Sequence, residues 1–394
     1  MRYRPMGMAL MAGTLLAAPA IAEPARADTA PPLAAEELPS VQTLPADYPA
    51  SWVLVHDFHF NSLMDGRIAI VDTTDQVRPL KGLVRAAQFA NMLHAPAKHE
   101  IYTSETFYSR LTRGERTDAI TIWDTATLQP KGEIVLPGGK RQQSVTYSGT
   151  FQFTNNQHWA LVANFTPAQS VTVVDLDGRK VLGEIDLPGC THIYPTGTRG
   201  FSSLCADGSI ISMTLADDGT VASSKVVENV QDIDNHPLFG MPAMVGKTAW
   251  FVSYDGQLRG IDLSGEFARP LPGTASVGSA AGGAPEWRPG GWQVIASDAQ
   301  GLLYVLMSPN GREGSHKDGG TEVWVVDPVA NKQLRRIDLG GVGFSITVTH
   351  EARPQLIVAR PDGRIDVFDA QDGTLVRQLG ATAAFNPILL APAQ

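Results

Sequence analysis

The chain has 394 residues, 38 of them Gly and 27 Pro, a share well above the roughly 12% that these two residues contribute on average, which argues for many turns and few long helices. Hydrophobic residues at 43% and charged residues at 18% supply a large core and exclude a disordered chain, which lacks the apolar surface to offset its ordering entropy. Lys plus Arg number 31 against 40 Asp plus Glu, a net charge of −9; nucleic acid, whose binding draws on cations that neutralise phosphates, is not expected as a partner.

In chain order, Arg2 and Arg4 precede an apolar run from Met6 to Ala18 and the small-x-small triplet Ala20-Ile21-Ala22. This is the pattern of a cleavable export signal over residues 1–22, with Ala25-Arg26-Ala27 as a second cleavage site. The run is shorter than the roughly 20 residues a membrane span needs, and no later segment is long and apolar enough, so no membrane partner is expected. The sequence therefore predicts a soluble periplasmic protein. Residues 23–50 hold six prolines among Ala and acidic residues, the composition of an extended arm.

From residue 51 to 394 a repeat takes over. A short apolar strand ends at Asp and is followed by turn residues in Ile68-Ala-Ile-Val-Asp72, Ile120-Thr-Ile-Trp-Asp124, Val171-Thr-Val-Val-Asp175, Leu258-Arg-Gly-Ile-Asp262, Val323-Trp-Val-Val-Asp327 and Ile365-Asp-Val-Phe-Asp369. A copy lacking the Asp, Ile210-Ile-Ser-Met-Thr-Leu215, fills the long gap in the middle. Seven copies at about 50 residues each match four-stranded propeller blades, and a hairpin that cannot bury both faces alone does so when sheets stack radially. The predicted fold is all-β, a seven-bladed β-propeller of four-stranded antiparallel blades. The recurring Asp reads as a turn cap accepting backbone N–H groups, not as a catalytic acid.

Export makes the two cysteines informative. Cys190 and Cys205, fifteen positions apart, favour an intramolecular disulfide; a redox or metal-binding pair is the alternative, and it usually shows C-x-x-C spacing. The nine histidines form no zinc signature, and His56 and His59, at odd spacing on an alternating strand, point to opposite faces. There is no C-x-x-C-H for haem, no phosphate-cradling loop and no G-x-S-x-G elbow, and Gly340-Gly-Val-Gly-Phe344 reads as a turn between blades. No metal, cofactor or catalytic motif therefore stands out in the sequence.

Three loop segments are too particular for plain connectors. Arg110-Leu-Thr-Arg-Gly-Glu-Arg-Thr-Asp118 carries Arg110, Arg113 and Arg116, Trp287-Arg-Pro-Gly-Gly-Trp292 carries Trp287 and Trp292, and Ser308 to Lys317 is a long polar excursion. They read either as solvated loops and blade-tip turns or as a partner interface, because Arg and Trp are enriched at interface hot spots.

These same residues resemble the heavy subunit of the quinoprotein amine dehydrogenases, the methylamine and aromatic amine dehydrogenases. The resemblance rests on Tyr108 to Asp118 with Trp123-Asp124, on Cys190-Thr-His-Ile-Tyr-Pro195 and Cys205-Ala-Asp-Gly208, on Trp287 to Trp292, and on Gly314-Ser-His-Lys317. It implies a seven-bladed propeller, a Cys190–Cys205 disulfide and an α2β2 heterotetramer. The small, cysteine-rich light subunit of that assembly would carry tryptophan tryptophylquinone and the catalytic base, leaving this chain with no cofactor, no metal and no catalytic residue of its own. A primary amine would be oxidised to aldehyde and ammonia, with electrons leaving to a copper protein such as azurin or amicyanin. Val55-His-Asp-Phe-His-Phe60 resembles the family strand whose Phe lines the substrate entrance, which gives Phe60 that role. Signatures of both branches occur, Gly314 to Lys317 on the aromatic side and Asn235-His-Pro237 on the methylamine side, so the resemblance leaves the amine open. The rival reading is a stand-alone periplasmic propeller that binds or scaffolds other molecules.

Overall fold

The computed structural model describes residues 42–394 apart from 61, 63, 64, 274, 278–285, 381 and 383; the expected signal peptide and residues 23–41 of the arm lie outside the described residues. Seven antiparallel sheets follow one another along the chain, as the repeat predicts. Blade 2 is typical, with strands Gln88–Ala95, Glu100–Arg110, Arg113–Asp124 and Pro130–Leu136 in that order from the axis outward. First strands of neighbouring blades touch one another round the ring, so they line the axis.

Blades 3 to 7 begin at Phe151–Phe153, Cys190–Thr196, Ala243–Val245, Arg288–Pro289 and Ser345–Val348 respectively. Blade 1 differs. Its second, third and fourth strands are Trp52–Asp57, Gly66–Asp72 and Leu80–Ala86, and its axial strand is the last of the chain, Pro387–Pro392, paired with Trp52–Asp57. Residues 42–50, the end of the expected arm, pack on this seam. Tyr48 is buried against Trp52 and His94, and its hydroxyl donates to the Thr125 carbonyl at 2.7 Å.

Each of the seven repeat segments is the third strand of its blade. Second and third strands are covered on both faces by the adjacent blades, and so read as continuous apolar runs: Leu303 to Met307 and Val323 to Val326 are fully or almost fully buried. Fourth strands meet water on one side and alternate, as in Lys332–Gly343. The core is accordingly a set of layers between blades, for example Tyr102, Ile120 and Phe151 between blades 2 and 3.

The antiparallel order fixes what lies at each end of the ring. Turns between third and fourth strands emerge at one end, here called lower. Loops between second and third strands, and the crossovers from one blade to the next, emerge at the upper end. At the lower end the six repeat aspartates cap their turns as expected. Asp124 accepts the Thr127 N–H at 2.8 Å, Asp327 accepts those of Val329 and Ala330 at 2.9 Å, and Asp72, Asp175, Asp262 and Asp369 do likewise. In blade 4 the device has moved three residues past the strand, to Asp218, which accepts the Thr220 N–H at 3.0 Å.

Candidate functional site

Phe60, Arg110, Arg113, Arg116, Cys190, Cys205, Trp287 and Trp292 all lie at or near the upper end. The strand Trp52–Asp57 stops before His59 and Phe60, so the alternation argument does not apply to the His56–His59 pair. His59 adopts the left-handed region (φ 48°) in the loop that follows. His56 is buried, and burial pulls its imidazole down to about 4.

The carboxylate of Asp57, fully buried, ties this loop to the far end of the chain. It accepts the His59 N–H at 3.0 Å, the Phe385 N–H at 2.9 Å and the Asn386 N–H at 2.7 Å. Asn386 returns a bond, its side-chain oxygen accepting the Phe60 N–H at 3.1 Å. The result is a pair of aromatic ridges. Phe60, 54% exposed, leans on Phe58 with ring centroids 4.3 Å apart, and Phe58 leans on Phe89. Phe385 lies between the His59 ring, stacked at 4.7 Å, and the Arg67 guanidinium.

In blade 2 the arginine segment is the tip of a long hairpin that pairs Tyr108 with Arg116 and Arg110 with Arg113. Arg110 and Arg113 are exposed. Arg116 is instead part of the hairpin's foundation. Its guanidinium holds both Asp118 oxygens, at 2.9 and 3.0 Å, and the Arg141 carbonyl at 2.7 Å. Beneath it Arg141 is buried and donates to Thr106 and to the Phe89 carbonyl; burial lowers its guanidinium to about 10, so it stays charged at neutral pH.

Trp287 and Trp292 flank the first piece of the axial strand of blade 6, so the segment is not a blade-tip turn. That strand is broken between Arg288–Pro289 and Ile295–Ser297. Gly291 turns the chain at φ 137°, a conformation side chains resist. Trp292 then swings across the axis, its indole N–H donating to the Thr146 carbonyl on the opposite side of the ring at 2.9 Å and its ring meeting Tyr147 at 4.6 Å. Trp287 stays in blade 6 against Trp324, whose face is covered at 3.7 Å by Arg336, its cross-strand neighbour. These two are the one tryptophan pair in ring contact among the described residues, and the arrangement is a structural stack.

Beside Trp292 lies a pocket of about 320 Å³ walled by Tyr147, Phe239, Tyr254, His316 and Phe344. The half-buried His192 ring meets Tyr147 at 5.0 Å, and desolvation lowers its imidazole to about 4; a side chain at Gly240 would collide with this ring. Cys190 and Cys205 nearby are joined by a disulfide between directly opposed strand positions in blade 4. Among the described residues no three His, Cys, Asp or Glu side chains converge as metal ligands would.

The structure thus separates the candidates. Phe60 and the tips Arg110 and Arg113 occupy the arc of blades 1 and 2, whereas Trp287 and Trp292 lie in blade 6. All four exposed phenylalanines among the described residues, Phe60, Phe107, Phe165 and Phe385, stand at the upper end, in blades 1 to 3 or in the crossover into blade 1. Sequence reasoning missed the roles of Asp57 and Phe385, which meet across 328 positions, and singled out neither Phe165 nor the pocket rings Tyr147, Phe239 and Tyr254, the last three of which come from separate blades and crossovers.

Ring count and strand order define a seven-bladed propeller whose exposed phenylalanines, among the described residues, all stand on one side of its upper end. The chain belongs to the methylamine dehydrogenase heavy chain (MADH) family, which it matches over residues 50–388. It is 31% identical over 286 residues to the methylamine dehydrogenase heavy chain of Methylorubrum extorquens, covering 71% of this chain and 68% of that one. It is 30% identical over 282 residues to that of Paracoccus versutus, covering 70% and 65%. Two solved structures share the fold. A dihydro-heme d1 dehydrogenase superposes with TM-score 0.52 at 14% identity, over 90% of this chain and 78% of the other. The β-propeller domain of Cps50 from Myceliophteria thermophila superposes with 0.53 at 11%, over 84% and 99%.

Proposed function

We propose that this chain is the large, cofactor-free subunit of a periplasmic quinoprotein amine dehydrogenase. A small, cysteine-rich light subunit docks on the upper arc of blades 1 to 3, in an α2β2 assembly. The observation that carries the reading, beside family membership, is the gathering of every exposed phenylalanine described on that arc, next to the exposed Arg110 and Arg113. Aromatic rings and arginines of this kind bury well at an interface and are costly to leave in water.

The light subunit's tryptophan tryptophylquinone supplies the redox chemistry that turns a primary amine into aldehyde and ammonia, with a copper protein such as azurin or amicyanin taking the electrons. This chain's own part is to shape the approach. Phe60 lines the substrate entrance, and Asp57 holds the Phe60 loop against Asn386, so that the ring presents a fixed apolar wall that excludes water. The test is expression with and without a small cysteine-rich partner and its maturation enzymes. The chain alone shows neither quinone absorbance nor amine oxidation, and co-expression restores both; amine oxidation by the isolated chain defeats the proposal.

A further inference from the structure

The pocket beside Trp292 is walled chiefly by blades 5 and 6, with Tyr147 reaching it from the crossover into blade 3, and it does not depend on the assembly proposed above. Its walls come from blades 5 and 6 and from three crossovers, and its volume of about 320 Å³ falls at the lower end of the roughly 300–1,000 Å³ of small-molecule sites. One wall is flat. Tyr254 and His316 stack with centroids 4.1 Å apart and planes at 15°, and Phe239 closes the end of that stack. The Tyr147–Trp292 pair lines the same pocket. A slot bounded by flat π surfaces suits a planar ring.

The polar groups around the slot have one character. The indole N–H of Trp292 is already committed to Thr146, but the hydroxyls of Tyr147 and Tyr254 have no hydrogen-bond partner among the described residues, and Tyr147 lies close enough to feel the charge of Tyr254. Burial raises both phenols above their ordinary value, so they remain protonated and able to donate. Burial and the neighbouring Lys317 lower the His316 imidazole, which keeps it neutral as a stacking surface at neutral pH. Lys317, exposed, lines the rim, no carboxylate among the described residues lines the pocket, and the adjacent Asp318 is engaged by Arg312 at 3.0 Å. The site therefore offers donors and positive charge to whatever enters. An amine would face a like charge with no acid to balance it.

We propose that this pocket binds a small aromatic carboxylate, its ring between the Tyr254–His316 stack and the Tyr147–Trp292 pair and its carboxylate toward Lys317 and the two free phenols. Isothermal titration of the purified chain with phenylacetate, and separately with benzylamine as a cation of similar size, tests it. Phenylacetate is expected to saturate with a Kd on the order of 1 mM, the scale set by its few heavy atoms. Benzylamine is expected to bind at least about fivefold more weakly, and Lys317→Gln, a surface change that leaves the fold intact, to weaken phenylacetate by about fivefold, the worth of a partly shielded ion pair. Tyr254→Phe keeps the ring, removes one donor and is expected to weaken phenylacetate by about threefold. Benzylamine binding as tightly as phenylacetate, phenylacetate affinity unmoved by Lys317→Gln, or no saturation by about 20 mM, well beyond the weak-binding range, each overturns the proposal.

Discussion

The two ends of this propeller are built by different rules. At the lower end one local device, an Asp accepting N–H groups two or three residues ahead, serves blade after blade. At the upper end no two blades are alike. The contacts there reach across the axis, as from Trp292 to Thr146, or from one terminus to the other, as from Asp57 to Asn386. A repeated fold needs its turns only to be made, so those are cheap and alike; the other end is free to vary, and there recognition accumulates.

Four measurements would sharpen or break that contrast. The largest effect is expected from acid. Burial holds His192, at the upper end, at about 4, below the roughly 6.5 of an unfolded histidine, so the unfolded chain takes up the proton first. Its stabilisation is complete above about pH 6.5 and falls as the pH drops toward 4, by on the order of 3 kcal/mol at this site. His56 and His94, also lowered to about 4 by burial, act in the same direction. Denaturant titrations at the two ends of that window should show a shallower pH slope in His192→Gln; an unchanged slope would remove His192 from the account.

Next, Asp57→Ala strands three backbone donors and should cost about 2 kcal/mol by thermal unfolding, with a raised KM for amine in the assembled enzyme. At the lower end, Asp327→Ala removes one turn cap and should cost about 1 kcal/mol, leaving every upper-end property intact. A loss as large as that of Asp57→Ala would erase the distinction between the ends. The smallest stability effect belongs to Phe60→Ala, within about 0.5 kcal/mol of wild type because the ring is half in water, while substrate selectivity in the assembled enzyme shifts.

The same contrast decides what could be read in advance. The third strands and their capping aspartates were legible because the residues that matter are neighbours in sequence; even the copy ending at Leu215, without its Asp, kept its apolar run and fell in the third strand of blade 4. The closing strand Pro387–Pro392 carries no such signature, since its partner is Trp52–Asp57 and no local pattern announces a pairing over that distance. Arg116 drew notice for its charge, yet its work is to hold Asp118, whereas Asp57, unremarked inside a quoted segment, positions Phe60. The pocket stayed hidden because its rings come from separate blades and meet only when the circle is complete.

Because the axial strand of blade 1 follows the other six blades in the chain, the circle cannot shut until that strand has been made. Until then the nascent protein is a horseshoe whose Trp52–Asp57 strand offers a bare, apolar edge to any other extended chain, a known route to aggregation. Loss of the strand Pro387–Pro392 alone would leave that edge open for good, so a frameshift just before it should be as damaging as one far upstream.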